Sequence, residues 1–197
     1  MAGLPTVVFD FAGVVFGWQP LALLQRVIPQ QATDDASARH WAAQIFQGYE
    51  GDWAAFDRGT VAPADLVQRI VHRTGLPAAA AQAVVDAVPL DFAPLPGTVA
   101  LIEDLHAAGH PLYFLSNMPA PYADHLEQTY GFLQRFTDGI YSARVQLVKP
   151  ERAIFDLAAQ RFGVPAGQLL PRLTSAGDAD VSGLDGSTAG LLARLKG

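Results

Sequence analysis

The chain has 197 residues, half of them hydrophobic, with 16% charged and a formal net charge of −6. That supplies enough apolar material for one α/β domain with an insertion and too little charge for a disordered chain. The acidic balance and the lack of any Lys/Arg cluster argue against nucleic acid or an anionic membrane as partner, and the absence of cysteine excludes disulfides, thiolate catalysis and a Cys-based zinc site. No apolar run is long enough to span a bilayer, and no basic-then-apolar leader precedes the first strand, so a cytoplasmic location is expected.

Thr6-Val7-Val8-Phe9 reads as a short buried strand, β-branched and aromatic, that ends in Asp10 and runs into Phe11-Ala12-Gly13. A strand ending in a carboxylate and breaking at glycine places that carboxylate in the crevice outside a sheet's C-terminal edge. Taken alone, the same aspartate also reads as a helix N-cap or a turn residue. From about Gly17 to Phe92 the pattern is helical with no convincing strand. Leu21, Leu24, Val27 and Ile28 form one apolar face, and Trp41, Ile45 and Phe46 another. Phe56, Leu66, Ile70 and Val71 continue the pattern, and Val84, Val85 and Val88 close it, with punctuation at Asp34-Asp35 and Gly75-Leu76-Pro77.

The α/β alternation then resumes. Pro96-Gly97 opens a helix carrying Val99, Leu101, Ile102 and Leu105, and Pro111–Leu115 is the next buried strand. A helix over about Pro121–Tyr130 and a short strand near Gly139–Ser142 follow. Pro150 suits the first turn of a helix over Glu151–Phe162 that stops at Gly163. A weaker strand near Leu169–Ala176 leads to Asp178, and Thr188–Lys196 forms a closing helix. Strands separated by helices predict a doubly wound parallel sheet.

A carboxylate at Asp10, a hydroxyl in Leu115-Ser116-Asn117, an ammonium in Lys149-Pro150 and a second carboxylate in Gly177-Asp178 suit phosphoryl transfer. Each has a plainer reading. Ser116-Asn117 suits a helix cap, Lys149 a solvated loop, and Asp178, Asp180 and Asp185 a polar turn. The five histidines are scattered with no ligand spacing. Trp18, Trp41 and Trp53 read as packing residues, with Trp18 placed to shape the approach to the site. Tyr122 and His125 follow the Ser-Asn loop as weak candidates for substrate contact.

In order and spacing, Val8-Phe9-Asp10-Phe11-Ala12-Gly13-Val14-Val15, Leu95-Pro96-Gly97-Thr98, Leu115-Ser116-Asn117 and Val148-Lys149-Pro150 resemble the haloacid dehalogenase superfamily. The resemblance is closest to its phosphatases with a small helical cap. Phe56-Asp57-Arg58-Gly59-Thr60 resembles a recurrent segment of that cap. The resemblance implies a Rossmann-like catalytic core over 1–16 and 93–197 and a helical cap over 17–92. It further implies that Asp10 attacks phosphorus, that Ser116 and Asn117 bind the phosphoryl group, and that Lys149 neutralises charge. By the same resemblance, Asp10, the Ala12 carbonyl and Asp178 hold Mg²⁺, with Asp180 and Asp185 as fallback ligands. The chemistry agrees: two anions must meet, so a cation has to offset their repulsion.

Two departures stand out. Ala12 occupies the position where the family's phosphatases usually carry a second aspartate, which protonates the leaving group and later activates water; a branch of them has glycine there. The segment Leu173-Thr174-Ser175-Ala176 is polar for a central strand, and Ser182 stands where asparagine is common. The resulting expectation is a Mg²⁺-dependent phosphatase, monomer or homodimer, acting on a small phosphorylated metabolite such as a sugar phosphate. The rival readings are a metal-independent 2-haloacid dehalogenase using Asp10, and a catalytically weak protein that binds a phosphorylated ligand or a partner.

Overall fold

The structure, a computed structural model, describes residues 7–164. The strand near Leu169–Ala176, the helix near Thr188–Lys196, and Asp178, Asp180 and Asp185 lie outside the described residues. Three strands form a parallel sheet in the order β1 (Val7–Phe9), β2 (Leu112–Ser116), β3 (Asp138–Tyr141). Phe9 pairs with Phe114, and Ser116 with Tyr141, so Asp10 and Ser116 leave the sheet at the same C-terminal edge.

Burial on both faces explains the near-continuous apolar character of the strands. Towards one face, Val8, Leu115 and Ile140 pack with Ile154, Phe155, Ala158 and Phe162. On the other, Phe9 and Phe114 join Phe11, Phe16 and Phe136 in an aromatic cluster, Phe11 meeting Phe114 with ring centroids 4.6 Å apart. Gly139 in β3 is required by this packing, because a Cβ there would lie 2.0 Å from the Phe114 ring.

The stretch read as helical holds five α-helices: α1 (Pro20–Val27), α2 (Asp35–Phe46), α3 (Gly51–Asp57), α4 (Pro63–Thr74) and α5 (Ala78–Asp91). Local chemistry sets their ends. Pro20 and Pro63 sit in first turns, and Asp34 and Ser37 form a reciprocal capping box on α2. Gly75 ends α4 in the left-handed region at φ 71°. The helices share one hydrophobic cluster with the sheet. Hydrogen bonds reinforce the junction: the Tyr122 hydroxyl donates to Val85 O at 2.6 Å and the Tyr130 hydroxyl to Phe92 O at 2.8 Å.

After the insertion come α6 (Pro96–Ala107), α7 (Ala120–Thr129), α8 (Ser142–Val145) and α9 (Arg152–Phe162). Pro150 does not sit in the first turn of α9. Glu151 is its N-cap, with extended backbone at φ −60° and ψ 135°, and its N–H donates to Val148 O, so the helix starts two residues after the proline. Nor do Ser116 and Asn117 cap α7. Pro119 occupies the N-cap without a side-chain hydrogen bond, and both polar side chains are left for other work.

Candidate active site

Asp10 follows β1 directly and enters a tight turn. The N–H groups of Val14, Val15 and Phe16 all donate to Phe11 O, and Gly13 takes φ 79°, a left-handed conformation glycine adopts without strain. Phe11, fully buried, anchors that turn. One oxygen of Asp10, Oδ1, accepts from the Phe11 N–H at 2.7 Å. The other, Oδ2, accepts from Lys149 Nζ at 2.5 Å. Both side chains are largely buried, at 23% and 16% exposed, so the pair is weakly screened while still reachable.

Lys149 is held by Asn117. Asn117 Nδ2 donates to Lys149 O at 2.9 Å, and the Lys149 N–H donates to Asn117 Oδ1 at 2.8 Å. The loop after β2 thereby positions the ammonium that meets the carboxylate after β1. Ser116 is 1% exposed, and its hydroxyl has no hydrogen-bond partner among the described residues. Leaving such a group unpaired costs free energy unless a ligand or water completes it.

Asp10, Ala12, Asn117 and Lys149 line a cavity of about 300 Å³. Its remaining wall is largely apolar: Trp18, Trp53, Val88, Phe92 and Met118, with Tyr49 and Tyr122 among them. Both tyrosine hydroxyls are already engaged. That of Tyr49 accepts from Trp18 Nε1 at 2.5 Å, and that of Tyr122 donates to Val85 O. Burial pushes both phenols above their usual range.

Asp57 also lines the cavity, and no role was read for it in the sequence. It ends α3, is 5% exposed, and burial raises its pKa to about 7 against the lowering influence of Lys149. A signal was present. Trp53, Phe56 and Asp57 stand at i, i+3 and i+4, which puts an acid on the apolar face of its helix. The turn after it is docked on the core. Ser142 Oγ donates to Asp57 O at 2.5 Å, and Arg58 donates to Gln146 O at 3.0 Å and pairs with Glu151.

Of the expected site residues, Asp10, Ala12, Asn117 and Lys149 line the cavity, whereas Ser116 is buried and not part of its lining and Asp178 lies outside the described residues. Trp18 and Tyr122 line the cavity; Trp41 and His125 do not appear in its lining. The donors near Asp10 are all oxygen: a carboxylate and, two residues on, the carbonyl of the exposed Ala12. Such a hard set suits Mg²⁺, which needs only one or two protein carboxylates and keeps several waters.

A parallel sheet presenting a carboxylate–lysine pair at its C-terminal edge is the arrangement of an α/β protein whose site lies outside the carboxyl ends of its strands. The chain belongs to the haloacid dehalogenase-like hydrolase family, whose model matches residues 4–170. Among its relatives, the sesquiterpene phosphatase astK of Aspergillus oryzae is 23% identical over 164 residues, 83% of this chain and 76% of that protein. The fold is also that of the family enzyme bt-2542 of Bacteroides thetaiotaomicron, solved with magnesium and inorganic phosphate. That match has a TM-score of 0.62 and 17% identity, covering 82% of this chain and 80% of that one. The L-2-haloacid dehalogenase of Xanthobacter autotrophicus, solved with chloropropionic acid covalently bound, matches with a TM-score of 0.56 at 18% identity, over 81% and 65% of the two chains.

Proposed function

We propose that this protein hydrolyses a phosphomonoester whose alcohol portion is apolar, through an aspartyl-phosphate on Asp10. The observation that carries this reading is the Asp10–Lys149 pair in a cavity whose wall is mostly aromatic and aliphatic. Asp10 attacks phosphorus, while Lys149 offsets the repulsion between carboxylate and phosphate. Asn117 holds the lysine in place, and the buried Ser116 hydroxyl supplies a donor still in need of an acceptor. Asp10 and the Ala12 carbonyl, joined by Asp178, would hold Mg²⁺, which when bound neutralises charge on the phosphoryl oxygens. The helical insertion, as a cap, excludes water and selects the substrate.

The wall argues against the sugar phosphate expected from the sequence. A sugar would bury several hydroxyls against a wall whose polar groups are the Tyr49 and Tyr122 hydroxyls, each with one hydrogen bond already made, and the Asp57 carboxyl, and each hydroxyl left unpaired costs about 1–3 kcal/mol. An aliphatic or isoprenoid chain has no such requirement, and the likeness to a sesquiterpene phosphatase supports that choice.

A second reading, with carbon as the electrophile, draws support from the likeness to haloacid dehalogenases. It uses the same Asp10 and the same apolar wall without a metal.

Phosphate and chloride release separate the two. The assay uses alkyl phosphates of increasing chain length, sugar phosphates and 2-haloacids, with Mg²⁺ or EDTA, for wild type and Asp10→Asn. Mg²⁺-dependent phosphate release that rises with chain length and disappears in Asp10→Asn is the expected result. Chloride release that persists in EDTA makes the protein a dehalogenase. Absence of both in a folded protein leaves a ligand-binding relative.

A further inference from the structure

We propose that Asp57, from the helical insertion, is the general acid and base of the reaction and takes the place left empty by Ala12. This rests on the phosphatase reading above. Three observations carry it. First, Ala12, two residues after Asp10 and in the same cavity, carries a methyl group that can neither give nor accept a proton. Second, Asp57 is a buried carboxyl that lines the same cavity as Asp10, and among the described residues no hydrogen bond engages its side chain. Third, its backbone is fixed rather than loose. The Ser142 hydroxyl holds the Asp57 carbonyl and in turn accepts the Met118 N–H at 2.8 Å, tying α3 to the loop that also carries Asn117.

The proton inventory closes. In the first step Asp10 forms an O–P bond, the ester P–O bond breaks, and the departing alkoxide takes the proton of neutral Asp57 to leave as the alcohol. In the second, water attacks phosphorus, its proton passes to the Asp57 carboxylate, and the Asp10–phosphorus bond breaks to release inorganic phosphate. The carboxyl ends as it began. A donor and acceptor of this kind works best when its pKa lies near the operating pH, and burial has moved Asp57 to about 7.

The charged and titratable surroundings are consistent with that task. Lys149 is the cation that acts on Asp57; Tyr49 and Tyr122 face it as neutral phenols. The arginines beside α3 and on α4 and α8 are paired with other carboxylates. Arg69 and Arg73 of α4 pair with Asp52, Arg144 of α8 pairs with Asp124 and Glu127, and Arg58 pairs with Glu151. The carboxyl therefore has no salt-bridge partner to hold its proton off.

The test compares Asp57→Asn with wild type, holding Mg²⁺, on two esters: an alkyl phosphate, whose alkoxide needs a proton to leave, and p-nitrophenyl phosphate, whose phenolate does not. The proposal expects kcat/KM for the alkyl ester to fall by about 10²–10⁴-fold, with kcat/KM for the aryl ester within a few-fold of wild type. It also expects a burst of p-nitrophenol followed by slow turnover, since the second step has lost its base. The limb of the alkyl-ester pH profile near neutrality should disappear as well. Asp57→Glu, which retains a carboxyl, should recover part of the alkyl-ester rate. Equal losses on both esters, or none on either, overturn the role of Asp57 and leave the phosphatase intact. If Asp57→Asn does not fold, the Asp57→Glu comparison decides alone: alkyl-ester and aryl-ester kcat/KM changing in parallel overturns the role. A wild type inert towards every ester overturns the phosphatase reading and this proposal with it.

Discussion

The side-chain amide of Asn117 grips the backbone of Lys149 at both its polar groups, donating to the carbonyl at 2.9 Å and accepting from the N–H at 2.8 Å. The two residues are 32 positions apart in sequence, and this grip places the lysine ammonium on Asp10. Asparagine is matched to the task because its amide presents one donor and one acceptor side by side. Asn117→Ala removes both bonds and frees the loop. Because displacement of a catalytic group by about 1 Å can cost 10²-fold in rate, we expect kcat/KM to drop by about 10–100-fold with little change in secondary structure. Steady-state kinetics beside a circular dichroism spectrum checks this.

Lys149→Met keeps the length of the side chain and deletes the charge. Asp10 then meets a phosphate dianion without its cation, and the loss should resemble that of removing one preorganised donor, about 10²–10³-fold in kcat. The substitution should also make activity depend more steeply on Mg²⁺ concentration, the metal being the remaining cation. A rate-against-Mg²⁺ titration of both proteins reads out that change.

Asp57 should make stability depend on pH in a defined direction. Its carboxyl is pushed up to about 7 in the folded state from an ordinary 3.8, mainly by burial. Where both states are protonated, below about pH 4, it carries no penalty; as pH rises towards 7, the unfolded chain ionises freely while the folded one cannot, and stability is lost. Asp57→Asn cannot ionise. Its stability relative to wild type should therefore grow by about 2–3 kcal/mol between pH 5 and pH 8. Urea unfolding of the two proteins at both pH values measures the difference, and a gap that does not change with pH would contradict the buried carboxyl.

Gly59 closes the turn that delivers Asp57. It sits at φ 79°, and a Cβ would lie 2.7 Å from Ala143 O, a backbone atom that cannot swing away. The left-handed conformation alone costs a non-glycine residue about 1–2 kcal/mol, and the contact with α8 adds to it. Gly59→Ala should lower the melting temperature by several degrees and reduce activity, since the turn must lift away from the core to make room. Thermal denaturation followed by an activity assay tests both consequences. Gly75→Ala is the control, with a similar φ of 71° but open space around the added methyl, and it should cost the backbone penalty alone.

Much of the framework is legible in residue order. The runs Val7–Phe9 and Leu112–Ser116 alternate with helical periodicity, so a parallel sheet follows, and its strand ends carry Asp10 and Ser116 to one edge. Asp34 and Gly75 likewise mark the start of α2 and the end of α4, because capping chemistry acts within a few residues. Pro150 shows the limit of that local reasoning. It satisfies the rule for a first helical turn, yet Glu151 is extended and tied to Val148 and Arg58, so α9 begins later.

The sequence by itself determined the class of fold and the strand-end carboxylate, because strand periodicity and short motifs are properties of neighbouring residues, and it offered Lys149 only through a family resemblance. Only the tertiary structure decided the apolar wall, the grip of Asn117 on Lys149 and the placement of Asp57. Each depends on partners brought together from distant segments, as when Ser142 holds Asp57 across 85 positions of chain. Burial does the rest: an aspartate that is an ordinary acid in the extended chain becomes a proton donor near neutrality once α3 packs it beside the cavity, where the charged form is poorly solvated.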